Sequence, residues 1–201
     1  MYTLIIKRIF DIVLASVGLI ILSPIFIAIT IVLFILNRGK PFFFQKRPGK
    51  NEKIFNIIKF KSMNDKTDSD GKLLPYADRI TNFGHFIRNY SLDEIPQLIN
   101  IIKGDMSLVG PRPLLPKYLS LYNDFQRQRH QLKPGVTGWA QVNGRNTITW
   151  DEKFKLDIWY VQNITFLLDC RIIFLTIKKV FLKEDINSSK TVNMEPFNGN
   201  N

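Results

Sequence analysis

Asp93 and Glu94 are the two residues of this chain whose types and spacing are best suited to chemistry. One carboxylate of such a pair can act as a nucleophile while the other binds Mg²⁺, which prefers oxygen ligands. Ser91 stands three residues before Glu94, and this S-x-x-E pattern predicts a capping box at a helix start. Taken alone, the pattern is more often a helix cap than a catalytic pair, so its meaning depends on the rest of the chain.

The expected helix sets the geometry of the pair. Apolar residues follow the pair at helical spacing and predict one buried face: Ile95, Leu98, Ile99 and Ile102. Successive helical residues point about 100° apart, so Asp93 and Glu94 are expected to have different tasks. A position at a helix N-terminus favours the ionised form of a carboxylate, which a nucleophile needs.

Arg112 is a candidate for gripping a phosphate because it stands between Pro111 and Pro113. Two prolines restrict the backbone on both sides of the arginine, and a guanidinium suits bidentate phosphate recognition. The alternative is a plain proline-rich connector. Residues 133–145 contain three glycines and end at Arg145, which predicts a loop whose backbone approaches an anion closely. Their spacing does not match a Walker A motif.

Composition limits the class of protein. The chain has 201 residues, enough for one domain with a core, and a formal net charge of +11. That excess favours an anionic partner: nucleic acid, acidic lipid or a phosphorylated substrate. The single cysteine, Cys170, excludes an intrachain disulfide and fits a reducing compartment. Neither of the two histidines has a partner at metal-ligand spacing, which argues against a structural zinc site.

The stretch from residue 9 to residue 36 predicts a membrane segment, because Asp11 is its only charge. Ser23 and Pro24 fall near its middle, and proline kinks or breaks a helix. Basic residues flank both ends, which allows both ends to lie on the same side of the membrane. Two interpretations stay open: a helix that enters, turns at Ser23 and Pro24 and leaves on the same side, or a kinked spanning helix.

The remaining patterns predict an α+β fold that is mostly α. Residues 41–63 predict a small β-hairpin with a turn at Pro48 and Gly49, in which residues 42–44 are more often core than membrane interface. Residues 118–132 predict a polar, basic helix in which His130, without a visible partner, is more often a surface or interfacial residue than a general base. Residues 151–160 predict a helix carrying Asp157. Residues 164–183 predict an interfacial amphipathic helix. Three regions follow: a membrane helix-break-helix at 1–38, a catalytic domain at 39–183, and a polar, flexible tail at 184–201.

These stretches together resemble one family, the bacterial sugar transferases, which are monotopic polyprenyl-phosphate phosphoglycosyl transferases. The matching runs are residues 23–24, 59–63, 78–81, 91–98, 104–107, 109–113 and 133–138. They follow one another in order over almost the whole chain, which is far more specific than any one motif. Lys61 stands where many relatives carry arginine and keeps the charge. Within the family, the chain resembles the member that starts bacterial protein N-glycosylation.

The resemblance implies a reaction: a UDP-sugar gives its sugar-1-phosphate to polyprenyl (undecaprenyl) phosphate and releases UMP. It also implies a re-entrant membrane helix in the bacterial inner membrane and an active site at the cytoplasmic face. Asp93 becomes the nucleophile that forms an aspartyl-phosphosugar intermediate, and Glu94 helps hold Mg²⁺. The residues expected to bind substrate or phosphate are Lys59, Pro111, Arg112, Pro113, Gln141, Arg145 and, more weakly, Asp157. Asp157 is expected to act in the metal shell or as a hydrogen-bonding residue. The expected sugar is N-acetylated, such as UDP-N,N′-diacetylbacillosamine.

Two alternatives differ from this interpretation. The same transfer could proceed by direct displacement, without a covalent intermediate. The chain could also be a membrane-tethered basic module that binds nucleic acid or acidic lipid without catalysis. Its basic residues alternate with apolar ones and do not form the aromatic-and-basic pattern of a nucleic-acid platform. We therefore expect no nucleic-acid partner.

Overall fold

The computed structural model describes residues 2–144, 148–182, 195–199 and 201. The described chain is mostly helical, with two small two-stranded sheets. The α-helices are α1 (Lys7–Ile21), α2 (Ser23–Leu36), α3 (Tyr76–Arg79), α4 (Asn82–Asn89), α5 (Gln97–Lys103), α6 (Asp124–Arg127), α7 (Trp139–Val142), α8 (Trp150–Gln162) and α9 (Phe166–Leu182). The strands are β1 (Phe42–Pro48), β2 (Ile54–Phe60), β3 (Ser107–Val109) and β4 (Gly135–Thr137).

Helices α1 and α2 form a pair bent by 65° at Leu22. Pro24 stands in the first turn of α2, where its missing N–H costs no hydrogen bond. The hydroxyl of Ser23 donates to the carbonyl of Ile20 at 2.7 Å. In the part of the chain that the structure describes, no single helix has the length and apolarity to cross a membrane, although the bent pair together passes that test. The predicted break at Ser23 and Pro24 is therefore confirmed.

Both ends of the bent pair are attached to the same globular body. At the start of α1, the Lys7 Nζ lies 2.6 Å from the Oδ2 of Asp169 in α9. After the end of α2, the amide of Asn37 donates to the carbonyl of Lys61 at 2.9 Å. The outward faces of both helices are lined with exposed aliphatic and aromatic side chains, including Ile9, Val13, Ile20, Ile27, Ile31 and Phe34. The pair thus lies with one face on the body and the other uncovered.

The predicted hairpin is confirmed. Strands β1 and β2 pair antiparallel, with Phe42 opposite Phe60 and Pro48 opposite Ile54. Phe42 stacks on Phe60 at 5.5 Å between ring centroids, but Phe43 and Phe44 are exposed. The expected aromatic core at residues 42–44 therefore holds for Phe42 alone. Alternation along a strand explains Phe43, whereas Phe44 shares the face of Phe42 and lies beyond the core.

The second sheet pairs β3 and β4 in parallel, which the sequence patterns did not indicate. The strands approach so closely that a Cβ on Gly135 would lie 2.1 Å from the backbone nitrogen of Gly110. The N–H of Gly110 donates to the carbonyl of Thr137 at 2.9 Å, and the N–H of Gly135 donates to that of Pro111 at 3.1 Å. This pairing holds the proline-flanked arginine segment against the glycine-rich one.

The helix predicted over residues 118–132 is wrong. A 3₁₀ segment (Pro116–Leu121), the single turn of α6 and a second 3₁₀ segment (Gln128–Gln131) take its place. Asn123 interrupts the run because it caps α6 in a capping box with Gln126. His130 is 7% exposed, so the expected surface position is also wrong. Its Nδ1 lies 3.2 Å from the carbonyl of Gly49, a partner that no local pattern indicates.

Among its described residues, the predicted polar tail contains one core residue. Phe197 is 3% exposed and packs with Tyr118, Tyr122, Trp150 and Phe154. Residues 183–194 lie outside the described residues. The region boundary expected at residue 183 therefore leaves out a side chain that belongs to the core of the catalytic domain.

Candidate active site

The carboxylate pair stands in a tight turn and not at the start of a long helix. Ser91 has a left-handed backbone (φ 54°) and its side chain makes no capping hydrogen bond. Leu92–Glu94 forms a single 3₁₀ turn, and α5 begins only at Gln97, after Pro96. The predicted capping box and helix start at Ser91 are therefore wrong. The left-handed residue redirects the chain after α4, and the side chain of Glu94 binds cations instead of the backbone.

Glu94 is held by two cations from different elements. Its Oε1 accepts from the Lys59 Nζ at 2.5 Å and from the Arg112 Nη2 at 2.8 Å. Lys59 projects from β2, and Arg112 from the segment after β3. Burial by itself would raise the pKa of Glu94, but the charges of Arg112 and Lys59 and their hydrogen bonds lower that pKa well below its ordinary value. Glu94 is thus anionic at any physiological pH.

Asp93 has the opposite environment. It is 8% exposed, and burial followed by the negative charge of Glu94 raises its pKa, against the opposing effects of Lys59, Arg88 and Arg112. The expectation that a helix N-terminus lowers this pKa is wrong. The pKa values of the two carboxyl groups are instead shifted in opposite directions, as happens where neighbouring carboxylates have different roles. Asp93 is the more basic of the two, and Glu94 is the one that stays ionised.

A cavity of about 220 Å³ opens beside Glu94. Glu94 and Arg112 lie in its wall, and Leu22, at the bend between α1 and α2, lies in the same wall. The other lining residues are Ser91, Ile95, Leu98, Val136, Thr137, Gln141, Val142, Thr176, Lys179 and Val180. Glu94, and not Asp93, is the member of the pair that lines the cavity. The cavity therefore joins the ion cluster to the apolar bent helix pair.

Gln141 lines this cavity and carries a buried acceptor without a partner among the described residues. Its Nε2 donates to the carbonyl of Val136 at 2.9 Å, which fixes the orientation of the amide. Its Oε1 is buried and has no hydrogen-bond partner among the described residues. Because an unpaired buried acceptor is costly, the oxygen is suited to a donor that arrives with a substrate, such as an N–H or O–H group.

Asp157 does not line the cavity. Through Arg129 it restrains the main chain of Arg112. Its Oδ2 accepts from the Arg129 Nη2 at 2.6 Å, and both side chains are almost fully buried. The same Nη2 donates to the carbonyl of Arg112 at 2.7 Å. Sequence reasoning missed Arg129 because it stands in a polar run that resembles a solvated helix. Arg145 lies outside the described residues.

Asp169 is a second buried group that the sequence did not reveal. It is fully buried, and it accepts from the Lys7 Nζ at 2.6 Å, the Tyr2 hydroxyl at 2.5 Å and the Tyr160 hydroxyl at 2.6 Å. Two turns further along α9, Thr176 lines the cavity. The sequence feature that could have revealed Asp169 is a carboxylate inside an apolar run. The interpretation of residues 164–183 as an amphipathic helix assigned this carboxylate to the polar face.

The described residues contain no group of three or more His, Cys, Asp or Glu side chains placed to hold a metal ion. Asp93 and Glu94 supply a pair of hard oxygen donors at the ion cluster that Glu94 forms with Lys59 and Arg112. That set fits Mg²⁺, which is commonly bound by one or two carboxylates and completes its shell with water and substrate phosphates.

Two cations on Glu94, a carboxylate pair and a cavity that reaches the apolar bent helix pair together suit an anionic substrate. Residues 2–183 match the family model for the bacterial sugar transferases. The chain belongs to this family and is an enzyme of the sugar transferase class.

Three relatives show how far the similarity extends. The chain is 50% identical over 197 residues to the uncharacterized sugar transferase EpsL of Bacillus subtilis, covering 98% of this chain and 97% of the relative. It is 36% identical over 193 residues to the exopolysaccharide production protein ExoY of Rhizobium meliloti, covering 88% and 85%. It is 36% identical over 194 residues to the UDP-glucose:undecaprenyl-phosphate glucose-1-phosphate transferase of Escherichia coli, covering 89% of this chain but only 40% of that relative.

Proposed function

We propose that this protein transfers a sugar-1-phosphate from a UDP-sugar to polyprenyl phosphate and releases UMP, as the first membrane step of glycoconjugate assembly. The observation that carries the proposal is the cavity whose wall contains Glu94, Arg112 and Leu22. In this wall a cation-held carboxylate stands near the bend of the helix pair. If the pair lies in the membrane as we propose, a water-soluble diphosphate and a lipid phosphate would meet there. The Escherichia coli relative is named for the same class of transfer.

The bent pair is proposed to be re-entrant. Helices of 15 and 14 residues are about 22 and 21 Å long, each shorter than a hydrocarbon core of about 30 Å. Their combined length alone would allow a kinked span. However, Lys7 at one end and Asn37 at the other contact the same globular body. A span would place these two ends on opposite sides of the bilayer, so same-side entry and exit is favoured. The expected location is the bacterial inner membrane, with the active site at the cytoplasmic face.

The proposed chemistry has two steps. The Asp93 carboxylate attacks the phosphorus that bears the sugar, the bond to UMP breaks, and UMP leaves with the electron pair on its phosphate oxygen. An oxygen of polyprenyl phosphate then attacks the same phosphorus, and the bond to Asp93 breaks, which restores the carboxylate. Direct attack of one polyanion on the other would face charge repulsion, and a carboxylate nucleophile divides this barrier between two steps. Lys59 and Arg112 hold compensating positive charge beside the reacting phosphates throughout.

Substrate and metal positions follow from the same groups. Glu94, with Asp93 next to it, is the residue that would hold Mg²⁺, which when bound offsets diphosphate charge. Arg112, held rigid by Pro111 and Pro113, is proposed to grip a phosphate. Gln141 offers its unpaired oxygen to a donor on the substrate. Arg145 remains a proposed phosphate-binding residue on sequence grounds.

The identity of the sugar is a separate proposal. The likeness to the N-glycosylation member favours an N-acetylated sugar such as UDP-N,N′-diacetylbacillosamine, whereas the names of the relatives mention glucose and exopolysaccharide. A panel of UDP-sugars separates these possibilities, because each donor is supplied alone.

The test of the function is UMP release by purified protein with Mg²⁺, a UDP-sugar and polyprenyl phosphate. We expect release that depends on the lipid phosphate for at least one sugar, and loss of that release in Asp93→Asn. Asp151→Asn is the matched control, because Asp151 is exposed on α8 and pairs only with Lys155 among the described residues. Absence of release with every donor would overturn the proposal.

A further inference from the structure

A second cavity, of about 570 Å³, lies where α2 ends and β2 leaves the hairpin. Four cations line it: Arg38, Lys40, Lys61 and Lys66. Its wall contains a single carboxylate, Asp65. This cavity, which we call the basic cavity, shares no lining residue with the cavity beside Glu94. None of the roles proposed above for individual residues is assigned to these cations.

Hydrogen bonds connect the chain segments that line the basic cavity. Beyond the end of β2, the N–H of Lys61 donates to the carbonyl of Pro41 at 2.8 Å, which continues the hairpin ladder. Asn37 donates to the carbonyl of Lys61 at 2.9 Å and so joins the end of α2 to the same point. The N–H of Asn64 donates to the carbonyl of Arg79 at 2.9 Å. The cavity is therefore formed by chain segments that hydrogen bonds connect to one another.

Most of its positive charge is not neutralised within the described chain. Lys61 pairs with Asp65, and this hydrogen bond, helped by the charges of Lys61, Arg79 and Lys40, lowers the pKa of Asp65. Arg38, Lys40 and Lys66 are exposed, and the described residues supply none of the three with an ion pair. Three cations thus face one cavity whose only carboxylate is already engaged.

Arg38 occupies a backbone conformation that does not favour arginine. Its φ is 51°, in the left-handed region, and Gly39 follows at 87°. Glycine or asparagine is the usual residue at such a position after a helix. An arginine there strains the backbone while it places a guanidinium at the cavity, which points to a role in binding.

The position of the basic cavity indicates which class of ligand it can bind. Leu36 lines it, and the neighbouring Phe34 and Ile35 of α2 are exposed on the apolar outer face. The opening therefore lies beside the surface that we propose contacts lipid. Lys61 and Lys59 are two residues apart on one side of the hairpin, about 7 Å along the strand. Lys59 binds Glu94, so the basic cavity continues the charged side of the active site.

We propose that the basic cavity binds the phosphate group of a membrane lipid at the bilayer surface, next to the active site. The proposal rests on the proposed function for its membrane placement. The phosphate could be that of the polyprenyl acceptor or of an anionic phospholipid such as phosphatidylglycerol, since both carry the same group at the same depth.

The test uses the full-length double variant Arg38→Gly and Lys66→Gln. Glycine relieves the left-handed strain at residue 38, so folding is retained or improved while two cations are lost. The control is Lys72→Gln and Lys155→Gln, which removes the same net charge from exposed residues outside the basic cavity. Thermal unfolding in detergent checks that both proteins are folded.

Two arms separate the two sources of phosphate. The first measures the KM for polyprenyl phosphate in neutral detergent micelles; the second measures flotation with phosphatidylcholine vesicles with and without phosphatidylglycerol. Loss of two surface cations is expected to weaken the relevant affinity by about 10- to 30-fold relative to the control.

A raised KM in the first arm identifies the acceptor phosphate, and reduced flotation on phosphatidylglycerol vesicles identifies the bulk phospholipid. Either result supports the basic cavity. Values equal to the control in both arms would overturn it. If the wild-type protein showed no transfer, the proposed function would fail, but the flotation arm would still decide the basic cavity.

Discussion

Arg129 and Asp157 form a buried ion pair at 2.6 Å, and the same guanidinium nitrogen donates to the main-chain carbonyl of Arg112 at 2.7 Å. A side chain on α8 thereby restrains the backbone of the residue that binds Glu94. Asp157 is thus a positioning residue whose effect reaches the active site through Arg129. This differs from the direct role in a metal shell or in substrate binding that the sequence suggested for it.

The first prediction concerns this ion pair. Asp157→Asn leaves the Arg129 cation buried without a counter-charge, so the free energy of unfolding should fall by about 3–5 kcal/mol. Asp151→Asn, on the exposed side of the same helix, should cost about 0.5 kcal/mol or less. Urea or thermal unfolding in detergent measures both. Equal losses in the two variants would contradict the account.

The second prediction concerns Arg112. Arg112→Lys keeps the positive charge but loses the planar fork that bonds Glu94 while a further N–H can reach a phosphate. Turnover should fall by about 100-fold, the typical loss when one preorganised donor to a developing charge is removed. Lys117→Arg, four residues beyond Pro113 and outside the cavity, is the control for the reverse exchange. Wild-type kcat and KM in Arg112→Lys would show that the fork is not used.

The third prediction concerns Asp169, the buried acceptor that joins α1 to α9. Asp169→Asn leaves Lys7 buried without its counter-charge, and stability should fall by about 3 kcal/mol or more. The double variant Lys7→Met and Asp169→Leu removes both charges and should recover part of that loss, because no unpaired charge remains. Thermal unfolding of the wild type, the single variants Lys7→Met and Asp169→Leu, and the double variant measures the coupling between the residues. A double variant as unstable as the sum of the two single variants would argue against a direct pair.

Local patterns predicted the features whose causes are local. The break at Ser23 and Pro24, the hairpin around Pro48 and Gly49 and the helix over residues 151–160 follow from proline chemistry and periodicity, and the structure contains all three. The prediction of a capping box at Ser91 is wrong because the S-x-x-E pattern does not reveal a left-handed backbone.

Features that depend on distant partners were not predictable in this way. Arg129 and Asp157 are 28 residues apart in sequence, and Lys7 and Asp169 are 162 apart. In each case one partner stands in a run whose polarity suggested a solvated face. The parallel pairing of β3 and β4 escaped notice because three-residue strands carry too little periodicity to detect.

The fourth prediction concerns pH and His130. Burial, followed by the nearby charge of Arg129, lowers the pKa of His130 from 6.5 to about 4, so the folded protein keeps this imidazole neutral. In the unfolded chain the imidazole binds a proton below about pH 6.5. The unfolded state therefore gains protons first, and stability should fall as pH drops from about 6.5 towards 4.

His130→Gln should flatten this dependence between pH 6.5 and 4, because the amide can still donate to the carbonyl of Gly49 and has no proton to gain. The control is His85→Gln, since His85 is exposed on α4. Thermal unfolding across this pH range measures the slope. A slope that His130→Gln leaves unchanged would assign the dependence to other groups.

The most direct test of the central claim is the intact mass of the protein mixed with Mg²⁺ and single UDP-sugars, without a lipid acceptor. The account predicts an added sugar-phosphate on the wild type, its absence in Asp93→Asn, its presence in Asp151→Asn, and its discharge when polyprenyl phosphate is added. If no sugar produced an adduct although UMP was released once polyprenyl phosphate was present, the transfer would be a direct displacement. That result would contradict the assignment of Asp93 as nucleophile.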